Sequence, residues 1–161
     1  MKVTFSCLLI LSCVGTENLK AIETSSAKRP SHAVFEKKVP ESPSDLIAIE
    51  EQVRSVLKKS KAATVCIQGN GSGSGVIISE DGLVITAGHV SGEPGKKIHV
   101  VLQDGTKLKA KALGRSAAAD SGLVRITKKG KYPFVDIAPP ATVHKGDWIF
   151  AVGHPGGFDK E

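Results

Sequence analysis

The sequence predicts an all-β domain preceded by a short helix, and three observations carry that reading. From residue 62 onward the apolar, β-branched runs are short and punctuated by Gly; two of the junctions are Asp-Gly turns; and a helical spacing of three and four occurs only once, ahead of them. At 161 residues, 40% apolar and 24% charged, the chain fits at most one ordinary globular domain and is neither wholly disordered nor collagen-like.

Taken in order, Met1-Lys2 and the apolar run Val3–Leu11 read as the start of an export signal over residues 1–15, with Ser12, Cys13 and Gly15 as small residues near a cleavage point. The run is too short for a membrane span, and no later stretch approaches the ~20 apolar residues that one needs. Ile10-Leu-Ser-Cys13 also resembles a lipobox, making Cys13 a candidate lipid anchor, while cleavage after Gly15 competes with it. Residues 16–43, rich in Ser, Thr, Lys and Glu with Pro30, Pro40 and Pro43, have no apolar period and read as a disordered linker.

After Pro43, Ser44 or Asp45 can cap an amphipathic helix over residues 44–60. Its apolar positions Leu46, Ile49, Val53, Val56 and Leu57 share one face, which is expected to dock on the body, and Lys58-Lys59 suit its C-terminal dipole. Strand-like runs follow at 63–68, 75–79, 83–87, 98–102, 107–113, 122–127 and 147–152. Glu80-Asp-Gly82 and Gln103-Asp-Gly105 are hairpin turns, because Gly tolerates the positive φ of a tight reversal and so joins neighbouring antiparallel strands. Short strands linked by hairpins favour a barrel or a sandwich. After Pro139-Pro140 a new unit begins.

The net charge of +6 is spread along the chain, and aromatic residues make up 4% of it, so no basic stripe with interleaved aromatics marks a nucleic-acid binder. Among three cysteines, Cys7 and Cys13 lie in or beside the leader, which leaves Cys66 alone in the body and excludes an internal disulfide there. Cys66 sits in Thr64-Val-Cys-Ile67 and reads as a small buried hydrophobe with no neighbouring cation to activate it. The five histidines offer no metal-ligand spacing, and no cofactor motif is present.

The motif with chemical content runs from Gly73 to Val90. Its second strand ends in Thr86-Ala-Gly-His89-Val90, where small residues leave an imidazole free to face a cleft as a general base. A lone His is more often structural. What lifts His89 is Asp120, placed in Ala118-Ala-Asp-Ser-Gly-Leu-Val-Arg-Ile126 at a loop-to-strand junction, where a carboxylate can hold the imidazole tautomer. Taken singly, Asp120 would pass for a turn residue.

Together these stretches resemble the N-terminal half of a trypsin-like serine protease of the HtrA/Deg type. Thr86-Ala-Gly-His89-Val90 is similar to that family's catalytic His motif. Asp120-Ser-Gly-Leu-Val-Arg-Ile126 is similar to its Asp motif, with Ser121 and Gly122 standing where an apolar residue and Ala are usual. Gly146-Asp-Trp-Ile-Phe-Ala-Val-Gly-His-Pro-Gly-Gly157 resembles the strand leading into the second barrel, with His154 for the usual Asn and Gly156 for the usual Phe.

The resemblance implies a chymotrypsin-like double barrel: a six-stranded antiparallel first barrel over residues 61–140 and the start of a truncated second barrel at 141–161. It also implies His89 and Asp120 as catalytic residues, protein or peptide substrates and an exported location. The family's nucleophilic Ser and oxyanion loop lie in the second barrel and have no counterpart by Glu161. Ser121 lacks the flanking glycines of a nucleophile motif, and Gly69–Gly75 is neither a nucleophile elbow nor a phosphate loop but a flexible approach to a hairpin. This chain alone is therefore expected to be inert. The alternative is an inactive pseudo-protease or fragment serving as a protein-binding module.

Overall fold

The computed structural model describes residues 34, 37, 39–69, 71–154 and 157. The leader, the acylation candidate Cys13 and residues 16–33 of the linker lie outside the described residues. Helix α1 spans Pro43–Ala63, longer at both ends than the spacing predicts. Its cap is Ser42, neither Ser44 nor Asp45: the Ser42 hydroxyl accepts the Asp45 amide, and Pro43 takes the first helical position, where its missing N–H costs nothing. Asp45 in turn accepts the Glu41 amide at 2.9 Å and the Lys37 ammonium at 2.9 Å.

Of the predicted helix face, Ile49, Val53 and Leu57 are half-buried, whereas Leu46 and Val56 remain exposed. Leu46 and Ile47 are each 57% exposed, and α1 is tied to the body at its C-terminal end, where Ala63 is buried and the chain turns into Thr64.

The body is a closed six-stranded antiparallel barrel, one chymotrypsin-like barrel, with strand order β1-β2-β3-β6-β5-β4. The strands are β1 (Thr64–Gln68), β2 (Ser72–Ile77), β3 (Leu83–Ala87), β4 (Lys97–Val101), β5 (Lys107–Ser116) and β6 (Ser121–Ile126). A single helical turn, α2 (Gly88–Ser91), follows β3. Both Asp-Gly turns form as predicted, with φ of 84° at Gly82 and 83° at Gly105, and they join β2 to β3 and β4 to β5.

Side chains alternate along each strand, so Val65, Ile67, Ile77, Val84, Ile98, Val100, Leu108, Ala110, Val124 and Ile126 fill the interior, and Tyr132 joins this core from beyond β6. The Tyr132 hydroxyl donates to the Lys128 carbonyl, and its ring lies against Gly82, so the β2–β3 turn is clasped from outside. Each fully buried Val or Ile is worth about 1.5–3 kcal/mol, so these inward rows, not the helix, hold the unit together.

Two elements differ from expectation. Residues 72–75, read as a flexible approach, are ladder residues of β2 paired with Gln68 through Ile67 and onward to Gly75↔Val65. Glycine is needed there for space: a Cβ at Gly75 would fall 2.7 Å from Ile67 Cδ1 and 2.8 Å from Val84 Cγ1. Residues 147–152, expected as a strand, form none, because no strand among the described residues pairs with them, and Trp148 and Ile149 stand 60% and 68% exposed.

Candidate active site

β3 ends at Ala87 and hands the chain to the α2 turn, which sets His89 at the rim of the barrel. β5 reaches the same rim at Ser116, and a four-residue turn ending in Asp120 returns the chain into β6. Because β3 and β6 are paired neighbours with Ala87 opposite Ser121, the two turns lie side by side. Thirty-one residues of separation in sequence thus collapse to direct contact.

The structure brings His89 and Asp120 together. His89 Nδ1 is 2.8 Å from Asp120 Oδ2 and 3.0 Å from Oδ1, and the His89 amide donates to Oδ1 at 3.0 Å. The backbone amide of His89 chiefly, and its ring next, hold the Asp120 carboxyl below its ordinary value, so the group is a carboxylate at neutral pH. A carboxylate accepts, so this contact favours the proton on Nδ1, and in the neutral imidazole that tautomer leaves Nε2 with its lone pair. The imidazole is 71% exposed, open to a group approaching from outside the barrel.

Several backbone details fix this pair. Asp120 has φ of 43°, a left-handed conformation that Asp tolerates better than most residues and that turns its side chain back towards α2. The Gly88 amide donates to the Asp120 carbonyl at 2.9 Å, and a Cβ at Gly88 would come within 3.2 Å of Asp120 Oδ1 and of the Ser116 and Ser121 carbonyls. Gly73 on β2 leaves room for Val90, whose Cγ2 would otherwise lie 2.6 Å from its Cβ.

One partnership escaped the sequence reading. Ser91 is fully buried, its hydroxyl donates to the Gly88 carbonyl at 3.1 Å, and it occupies the space beside Gly122: a Cβ there would fall 2.7 Å from Ser91 Cβ and closer still to its Oγ. Gly122, which departs from the usual Ala, is thereby explained. The readable signal was that departure, and its partner could be found only in three dimensions. Ser121 stands in the β3–β6 ladder opposite Ala87.

The Trypsin-like peptidase domain description matches residues 73–161, more than half of the chain. The chain belongs to the trypsin-like peptidase family. The matched part is also similar to DegP-like endoproteases. It is 39% identical over 86 residues to a "Probable periplasmic serine endoprotease DegP-like" of Bartonella henselae, 38% over 86 residues to one of Rhizobium meliloti and 43% over 87 residues to one of Brucella suis. In each case the match covers 53% of this chain and 17% of the relative, so the chain spans a small part of the curated proteins it resembles.

Beyond the barrel, the segment carrying His154 returns over β2. The His154 amide donates to Ser74 Oγ at 2.8 Å, and Gly153 permits the approach, since its Cβ would lie 2.7 Å from that oxygen. Phe150 and Val152 line a shallow groove of about 190 Å³ with Ser60, Thr64, Val76 and Val135. Among the described residues no group of His, Cys, Asp and Glu gathers as a metal site would require, and no helix is long and apolar enough to cross a membrane.

Proposed function

We propose that His89 and Asp120 are the general base and its positioning carboxylate in an exported serine endopeptidase. The observation that carries this reading is the two-point hold of Asp120 on His89, through ring Nδ1 at 2.8 Å and through the backbone amide at 3.0 Å. In the reaction, His89 Nε2 takes the proton of an attacking Ser hydroxyl as its oxygen adds to the peptide carbonyl. The same proton is then returned to the leaving amine as the C–N bond breaks. Asp120 stays ionised throughout, holds the neutral tautomer and stabilises the imidazolium between the two transfers.

The curated relatives are far longer than the part matched here, and the nucleophile and the oxyanion N–H groups are assigned to the second barrel that the family resemblance implies. Residues 141–161 are assigned to the start of that second barrel, and the uncovered Trp148, Ile149 and Phe150 are the apolar surface it would bury. Substrates are proteins or peptides. Export is supported by the Met1–Gly15 pattern and by relatives named as periplasmic.

Hydrolysis of an unfolded protein substrate by the product of the full reading frame tests the assignment. His89→Ala is expected to abolish turnover, and unchanged turnover overturns it. The 161-residue chain alone is expected to resist labelling by a fluorophosphonate; covalent labelling would place a working nucleophile within it.

A further inference from the structure

The lysines that look scattered in sequence converge on one outer face of the barrel. On β5, Lys107, Lys109, Lys111 and Leu113 are exposed at every second position, while Leu108, Ala110 and Ala112 point inward. On β4, Lys97 and His99 are exposed beside them, and the register sets Lys97 opposite Lys111 and His99 opposite Lys109. Directly opposed side chains in an antiparallel pair stand about 5 Å apart, and like charges so placed destabilise the pair. No ion pair among the described residues relieves Lys97, Lys107, Lys109 or Lys111. The acids nearby in sequence are engaged by other groups: Glu93 with Arg115, Asp81 with Arg125, and Asp104 with the Thr106 amide.

An aliphatic row adjoins these cations. Leu113, the next outward position of β5 and the residue at the register shift between Ala112 and Gly114, is 46% exposed next to Leu123 at 38%, which in turn faces Ile85 on β3. A face that keeps uncompensated cations beside exposed leucines, with no aromatic side chain among them, lacks the stacking groups of a nucleic-acid surface. It carries instead the two elements of interfacial membrane attachment, charge for anionic headgroups and apolar groups to enter between them.

We infer that the outer face formed by β4, β5 and the adjoining part of β6 docks on an anionic phospholipid surface, with Lys97, Lys107, Lys109 and Lys111 on the headgroups and Leu113 and Leu123 at the acyl boundary. This inference stands independently of the peptidase mechanism. It holds the barrel side-on, through residues that are not part of the His89–Asp120 pair.

The test is cosedimentation of the full chain with phosphatidylcholine vesicles containing about a quarter phosphatidylglycerol and with pure phosphatidylcholine vesicles. Any apolar binding by the leader is common to both, so their difference reports charge, and replacements on the face separate its share from that of the other basic residues. Replacing three cations, Lys107→Gln, Lys109→Gln and Lys111→Gln, is expected to weaken anionic-vesicle binding by on the order of a hundredfold, about fivefold for each lysine. The same number of replacements on α1, Lys58→Gln, Lys59→Gln and Lys61→Gln, is expected to weaken it far less. Leu113→Asn with Leu123→Asn is expected to reduce binding at unchanged charge.

Equal losses for the two lysine sets, or no preference for anionic vesicles, would overturn the inference. Leucine replacements without effect would also overturn it, by removing the acyl contact. A DNA duplex or polyglutamate bound more tightly than the vesicles, through the same lysines, would assign the face to another polyanion. Far-UV circular dichroism of each variant confirms that all substitutions lie on an intact barrel.

Discussion

Gly122→Ala is the substitution that tests most directly how the two turns are held. The added Cβ would lie 2.7 Å from Ser91 Cβ, whereas non-bonded carbons settle at about 3.5–4.0 Å, so one partner must give by roughly 1 Å. The β6 backbone is fixed in its ladder with Thr86, so Ser91 and the α2 turn are what move. Overpacking of this kind costs about 1–3 kcal/mol, and turning the buried hydroxyl away from the Gly88 carbonyl adds about 1 kcal/mol, for a loss of about 2–4 kcal/mol. Urea unfolding followed by circular dichroism should show a lower midpoint at an unchanged slope.

Because His89 sits two residues before Ser91, its ring resonances should shift as well, and in the complete enzyme a displacement near 1 Å is worth about a hundredfold in rate. Ser91→Gly combined with Gly122→Ala should recover much of the loss relative to Gly122→Ala alone. An unchanged midpoint in the single variant, or no recovery in the double, would refute the packing argument.

The Asp120 carboxyl is held below its ordinary value when folded, so its contribution to stability is present above about pH 4, the unfolded value, and disappears as pH falls through the lowered folded value. Asp120→Asn should therefore flatten the acid limb of a stability-against-pH curve, and superimposable limbs would mean the hydrogen bonds to His89 do not form in solution. In the complete enzyme the same variant should lower kcat by about 10⁴ by disturbing the imidazole tautomer, and a loss below tenfold would remove Asp120 from the mechanism. Cys66 is buried between strands and burial pushes its thiol up, so with Cys7→Ser and Cys13→Ser in place a disulfide reagent should titrate no thiol in the native chain and one after denaturation; prompt native reaction would contradict the packing of β1.

The barrel was legible because its β-branched runs are bounded by turn chemistry that has few other uses. Asp81-Gly82 and Asp104-Gly105 determine which strands are neighbours, and the alternation in Lys107–Ala112 determines which face turns inward. The Gly-rich start of β2 reads as a flexible approach to a hairpin because glycine signals freedom locally, whereas here it serves close approach by Val90, Ile67 and Val84, which belong to other elements. Pro43 belongs just after the cap and not before it, and the shift of the cap from Ser44 or Asp45 to Ser42 is resolved only by the Ser42 hydrogen bond.

For residues 147–152, pattern indicates strand propensity but cannot supply the neighbour that a ladder requires. His89 and Asp120 could be named as a pair from their motifs, but their contact depends on the β3–β6 register, which no local signal encodes. The cationic face was invisible for a related reason: a hairpin brings Lys97 beside Lys111, and counting charge along the chain cannot see that pairing.

The joining of β1 to β4 leaves every strand of this sheet with two neighbours. Extended polypeptide adds readily to any unpaired strand. A ring of strands presents no row of free N–H and C=O groups for it to extend. The wall of the barrel is therefore closed to strand addition, and another polypeptide cannot extend it into a growing cross-β aggregate.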